Sequence, residues 1–179
     1  MEELEDPNEK LRETIEEVEE ERDKKERWTL SVALTTSIIA VLAAIAGLFG
    51  NHHANEALLE QMNASDKWNF YQAKGIKLSI ENNSALILSA INKDAPPANK
   101  EKIEKYEKEK EEIMKEAKEA ETGSKEHLNR HVIISKAVTI FQVAIALSGI
   151  AILTRRKPIW YVSMLMALLG VFFLVQGLI

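Results

Sequence analysis

Four histidines are the side chains of this 179-residue sequence best suited to metal or proton chemistry. They form two close pairs, His52 with His53 and His127 with His131. The second pair is four residues apart, which on a helix puts both imidazoles on one side, and Glu56 follows His52 by the same step. Such a set has the ligand types for a divalent metal and the pKa range of a pH sensor. An interfacial polar belt is the competing reading, because no HExxH or other catalytic metal motif accompanies the histidines. There is no cysteine, so disulfides, thiolate ligands and cysteine nucleophiles are excluded. Phosphate-binding loops, dinucleotide fingerprints, nucleophile elbows and kinase signatures are also absent, and the paired carboxylates sit in Lys/Glu-rich runs that read as solvated helix faces. The expectation is a protein without enzymatic activity or cofactor.

A second polar set lies in an apolar run. Ser135, Thr139 and Gln142 follow His131 at steps of four, four and three, and Ala146 and Gly149 continue the stripe. Lys136 stands beside it, and Gln176 falls at similar depth in the last apolar run. Polar groups at bilayer depth face protein or water, so the stripe is either an interhelical hydrogen-bonding face or the lining of a pore.

These residues are positioned by elements that belong to two solvents. Residues 29–50, TLSVALTTSIIAVLAAIAGLFG, are uncharged and span about 33 Å as a helix, enough for a bilayer core. Residues 132–153 and 159–179 are two further such runs, joined by the short basic turn 154–158, TRRKP. Overall the chain is 46% hydrophobic and 28% charged with a net charge of −5, yet residues 132–179 hold no acid at all. Residues 1–27, ahead of Trp28 and the first run, carry 13 acids and 6 bases, which fits an uncleaved anchor better than a signal peptide. No basic footprint for nucleic acid is present. In the first run Ala40 and Ala44, Ala43 and Gly47, and Ala46 and Gly50 are small pairs four apart that predict close helix contact in lipid.

Residues 1–28 read as a charged helical tail. Asp6, Pro7 and Glu9 form a helix start, Leu11, Ile15 and Val18 a short apolar stripe, and Trp28 an interfacial anchor after the basic RDKKER. Residues 51–131 read as an extramembrane antiparallel helical hairpin with its turn near 93–100, where KDAPPANK places two prolines in succession. Ile103, Tyr106, Lys110, Ile113, Ala117 and Ala120 follow the a/d spacing of a coiled coil. The arm before the turn is longer than the arm after it, so a break is expected at NHHAN (51–55), at Asn82–Ser84 or at Thr122–Ser124.

The stretch 64–77, ASDKWNFYQAKGIK, alternates aromatic rings with bases: Lys67, Tyr71, Lys74 and Lys77 share one side, and Trp68 and Gln72 lie beside them. These six are the expected contact surface of the hairpin. With its DKWxxYQAKxIK core, an anchor span before it and a pair of spans at the end, the chain resembles the bacterial membrane proteins grouped as domain-of-unknown-function family 4337. The resemblance implies a three-span protein of the bacterial inner membrane and no known activity.

The expectation is therefore an all-α protein with three transmembrane helices and a long extramembrane hairpin between the first and second. Arg155, Arg156 and Lys157, with the bases before Trp28, place the amino terminus in the cytoplasm and the hairpin in the periplasm or outside the cell. The leading functional expectation is a scaffold or interaction protein that binds the bilayer and copies of itself, with another envelope protein as a further candidate partner. A pore lined by the second span and a metal or pH sensor built on the histidines are the alternatives.

Overall fold

The structure, a computed structural model, describes residues 7–91 and 97–179. These residues form three helices and no strand: α1 (Pro7–Ala90), α2 (Pro97–Thr154) and α3 (Lys157–Leu178). Proline opens both long helices at the one place where its missing N–H is harmless. Asp6 and residues 93–96, part of the expected start and turn, lie outside the described residues. Each helix is long and apolar enough over part of its length to cross a membrane.

None of the expected breaks occurs. Residues 51–55 and 82–84 are helical within α1, and 122–124 within α2. Asn and Gly cost a helix at most about 1 kcal/mol each, an amount that side-chain packing offsets. The mismatch between the arms is also smaller than expected, because α2 starts at Pro97 and so includes residues 97–100. Thr154 ends α2 and Lys157 starts α3, leaving only Arg155 and Arg156 between them. Arg155 has a φ of 56°, the left-handed region in which an L side chain is strained, and Arg156 is extended.

The described chain divides into two compact units: residues up to Leu48 together with Ile133–Ile179, and Phe49–Val132. The first has a core of Ile39, Ala46, Ile134, Ala137, Phe141, Ala144 and Leu174. The alanines among them let backbones approach closely. On α3 the buried positions Ser163, Gly170 and Gly177 recur every seven residues, and a Cβ on Gly170 would stand 2.6 Å from the Phe141 ring. Ser163 donates to the carbonyl of Ala144 at 2.9 Å, which leaves its oxygen to accept from Ser148 at 2.6 Å. Trp160 Nε1 donates to Thr35 Oγ1 at 3.1 Å and ties α3 to α1. Outside this core the unit exposes large apolar side chains on all three helices, such as Leu34, Leu153 and Leu168. Of the small pairs on the first run, Ala46 and Gly50 are buried, Ala43 and Gly47 half-buried, and Ala40 and Ala44 exposed.

In the second unit α1 and α2 are joined along their length by pairs whose α2 numbers fall as the α1 numbers rise. Gly50 pairs with His131, His53 with His127, Ala57 with Ser124, Lys67 with Glu116, Lys74 with Glu109 and Glu81 with Lys102. The covered positions of α1 include Ala57, Glu60, Ala64, Lys67, Tyr71 and Lys74, at steps of three and four. All six residues of the stripe expected on α2 are buried or half-buried, Ala117 completely.

Candidate functional site

The contact belt of the second unit is built from the stretch 64–77 of α1 facing the Lys/Glu-rich part of α2. Lys67 Nζ lies 2.6 Å from Glu116 Oε2, and Trp68 donates its indole N–H to Glu121 Oε1 at 2.8 Å. Lys74 Nζ lies 2.5 Å from Glu109 and 5.3 Å from the centre of the Tyr106 ring. That contact holds the Glu109 carboxyl below the usual carboxylate range, by hydrogen bonding first and charge second. Lys110, the one charged residue of the α2 stripe, keeps its ammonium within the unit by lying 4.7 Å over the Tyr71 ring. Its side chain also passes the Cα of Gly75, where an added Cβ would meet it at 3.7 Å. Of the six residues expected at this surface, Lys67, Trp68, Tyr71 and Lys74 meet α2, whereas Gln72 and Lys77 are exposed.

Closer to Phe49 the two helices carry alanine and serine, and the backbones approach. Ser124 donates to the Ala57 carbonyl at 2.8 Å and lies 3.4 Å from Gln61 Oε1, while Gly123 leaves room for the Glu60 side chain. Thr122–Ser124 is therefore a packing device rather than a break. The signal was the run Ala117, Ala120, Ser124 at steps of three and four opposite Ala57 and Ala64.

His53 lies between His52 and His127, with ring centres 5.5 and 5.3 Å away. His53 is buried, with its Nδ1 3.0 Å from Nδ1 of His127. His131 pairs through Nδ1 with the Gly50 carbonyl at 2.8 Å, and His52 is exposed beside His53. Among the described residues no group of three or more His, Cys, Asp or Glu side chains is placed to hold a metal ion.

The His53–His127 contact needs one ring to donate and the other to accept, so it is lost when both rings are protonated. Burial pushes the His53 pKa down from 6.5, His127, His52 and Arg130 push it further, and Glu56 opposes them. Between 6.5 and the lowered value the unfolded chain holds a proton that the folded chain refuses. The stability that His53 contributes is thus complete above about pH 6.5 and is lost as pH falls through the lower value. Thermal melts of the full chain in detergent from pH 7.5 to 5 are expected to show a falling Tm, and His53→Leu is expected to flatten that slope. Equal slopes in both proteins would overturn the assignment.

The polar stripe of the first unit lies on the outside of α2: Lys136, Thr139, Gln142, Ala146 and Gly149 are exposed and Ser135 is half-buried. Gln176 of α3 is exposed too. Thr139 bonds back to the Ser135 carbonyl at 3.0 Å. An added Cβ at Gly149 would meet nothing within 4 Å.

A family model described as Domain of unknown function (DUF4337) matches residues 28–179. No curated protein and no solved structure matches the chain.

Proposed function

Since the chain belongs to the DUF4337 family, whose description assigns no activity, we propose a function from its own surfaces: an oligomeric scaffold of the bacterial inner membrane. Residues 29–50, 132–153 and 159–179 cross the bilayer, and residues 51–131 form a hairpin on the periplasmic or extracellular side. The falling order of the α1–α2 pairs is that of an antiparallel hairpin. The basic turn after α2 and the bases before Trp28 favour a cytoplasmic amino terminus. No catalytic step is part of the proposal.

One observation carries the scaffold reading. In the second unit α1 has, besides its covered face, an exposed stripe at the same three and four spacing: Leu59, Met62, Ala73, Ile76, Ile80 and Ile87, interrupted by Asp66, Asn69 and Asn83. Ile76 is 62% and Ile80 60% exposed. A row of this kind outside the bilayer has no lipid to cover it, and water disfavours it. α2 offers no match, since Leu128 and Val132 are its only exposed large apolar residues in this unit among those described. The stripe therefore meets its own copy, and a dimer about a two-fold axis is the assembly it favours. Native mass spectrometry of the protein in lipid nanodiscs tests this: dimers are expected, and single chains across the working concentration range would overturn it. A stable complex with a different envelope protein in place of the dimer would also overturn self-association.

The exposed polar stripe of α2 favours a second reading, a pore lined by that helix in a closed ring of chains. Lys136 and Gln142 on an outward face at membrane depth call for protein or water opposite them. In planar bilayers such a pore conducts and Gln142→Leu changes its conductance. A conductance indifferent to that substitution removes the stripe as its lining.

A further inference from the structure

We propose that the first unit holds the headgroup of an anionic phospholipid in the cleft where the amino-terminal part of α1 meets the α2–α3 turn. The proposal rests on the membrane reading above and adds a ligand site to it. The cleft measures about 890 Å³ and is amphipathic. Arg22, Lys24, Lys25, Arg155 and Lys157 line it with only two acids, Glu21 and Glu26. Those acids are engaged: Glu21 bonds Lys25 at 3.3 Å, Glu26 lies 3.9 Å from Arg22, and Lys24 is held by Glu20 at 2.8 Å. Among the described residues, Arg155 and Lys157 have no ion-pair partner, so the turn side of the cleft carries uncompensated positive charge. Leu30, Ala33 and Ile152 form its apolar wall.

Trp28 supplies an independent observation. It lines the same cleft, and its Nε1 is buried without a hydrogen-bond partner. The other two indoles of the chain are both satisfied, Trp68 by Glu121 and Trp160 by Thr35. A buried N–H left unpaired costs about 1–3 kcal/mol, which an acceptor oxygen would recover on entering the cleft and displacing the groups that cover the indole. A phosphodiester meets every part of the lining at once: oxygens for the indole N–H and the bases, and acyl chains for Leu30 and Ile152. Inorganic phosphate shares the first feature and not the second, which is why a lipid is the better match.

The test uses the full chain in nanodiscs of phosphatidylglycerol or of phosphatidylcholine alone, with lipid retention read by native mass spectrometry. Retained phosphatidylglycerol and no retained phosphatidylcholine is the expected result. Arg155→Gln with Lys157→Gln should weaken retention about thirtyfold, from two bases near a membrane surface. Trp28→Phe, which keeps the ring and removes the donor, should weaken it about tenfold. Equal retention of both lipids, or variants that retain as the parent does, would overturn the site while leaving the membrane reading intact. Failure of the chain to enter nanodiscs overturns both. Inorganic phosphate displacing the lipid at millimolar concentration would make free phosphate the ligand and overturn the lipid assignment.

Discussion

Replacing Ile76 and Ile80 together by Glu is expected to turn the assembled protein into single chains without unfolding it. Both side chains point away from α2, at 62% and 60% exposure, so the folded chain loses almost no internal packing when they change. In a two-fold dimer each substitution occurs twice. Burying one aliphatic side chain contributes about 1.5–3 kcal/mol, so removing four costs at least about 6 kcal/mol. That weakens association on the order of ten-thousandfold, before any repulsion between the new carboxylates is counted. In the proposed dimer, chains anchored in one bilayer would share an orientation, so their α1 helices would run parallel and each stripe residue would face its counterpart. This adds a second sign to the prediction. Asp66 then faces Asp66, and Asp66→Asn should tighten the assembly where the isoleucine changes loosen it. Asn69 and Asn83 would instead each face their own copy, where one side-chain amide can donate to the other's carbonyl and accept in return. The measurement is the monomer–dimer balance by native mass spectrometry over a dilution series, with helical content checked by circular dichroism. A dimer unaffected by the double substitution would remove this face as the interface, and the polar stripe of α2 would be the next surface to change.

Apolar run length and the three and four spacing carried most of the helical architecture, because both follow from helix geometry alone. The α2 stripe from Ile103 to Ala120 lies on the covered side as the spacing predicts, and the stretch 64–77 contributes four of its six singled-out residues to the contacts with α2. What the sequence hid was the partner of each residue. Lys67 and Lys74 read as part of the hairpin's contact surface, but nothing in the spacing named Glu116 and Glu109 of α2 as the carboxylates they meet. Charge patterns reveal a solvated or paired face without saying which, since the pairing depends on a register set many residues away. Small residues were equally ambiguous. Those on the first run, four apart, drew attention as a close-packing face, and Gly47 meets no neighbour. In the first unit the glycines that do receive a neighbour are seven apart on α3 and register against Phe141 and Ile134. Thr122, Gly123 and Ser124 resemble a helix break by propensity, and become a close approach only when Ala57 and Glu60 stand opposite. The exposed stripe of α1 had the same spacing as its covered stripe, and spacing alone does not tell which of two stripes on one helix is filled.

Gly170→Ala is expected to destabilise the first unit by about 1–3 kcal/mol, the usual cost of forcing an extra methyl into a packed core. The added carbon would stand 2.6 and 2.7 Å from two atoms of the Phe141 ring and 3.1 Å from a third. A flexible side chain could swing away at little cost, but Phe141 is completely buried within the core that also contains Ala137 and Ala144, and a rigid ring has no free rotamer there. In lipid the consequence is sharper than in water, because nothing apolar drives α3 back onto α2 once contact is lost, and packing and hydrogen bonds hold the pair. The Ser148–Ser163–Ala144 bonds sit one heptad before Gly170, and a shift of α3 that relieves the ring also strains them. Gly47→Ala is the control: no atom lies within 4 Å of the new carbon, and the gain in helix propensity, up to about 1 kcal/mol, makes that variant neutral or slightly more stable. Unfolding in mixed detergent micelles reads both. The deciding arm is a double-mutant cycle with Phe141→Leu, which trades the ring for a branched chain able to yield. If the ring is what the glycine accommodates, Gly170→Ala costs less in that background and the two changes couple by at least about 0.5 kcal/mol. Strict additivity would show that helix conformation, and not the Phe141 contact, requires glycine at this position.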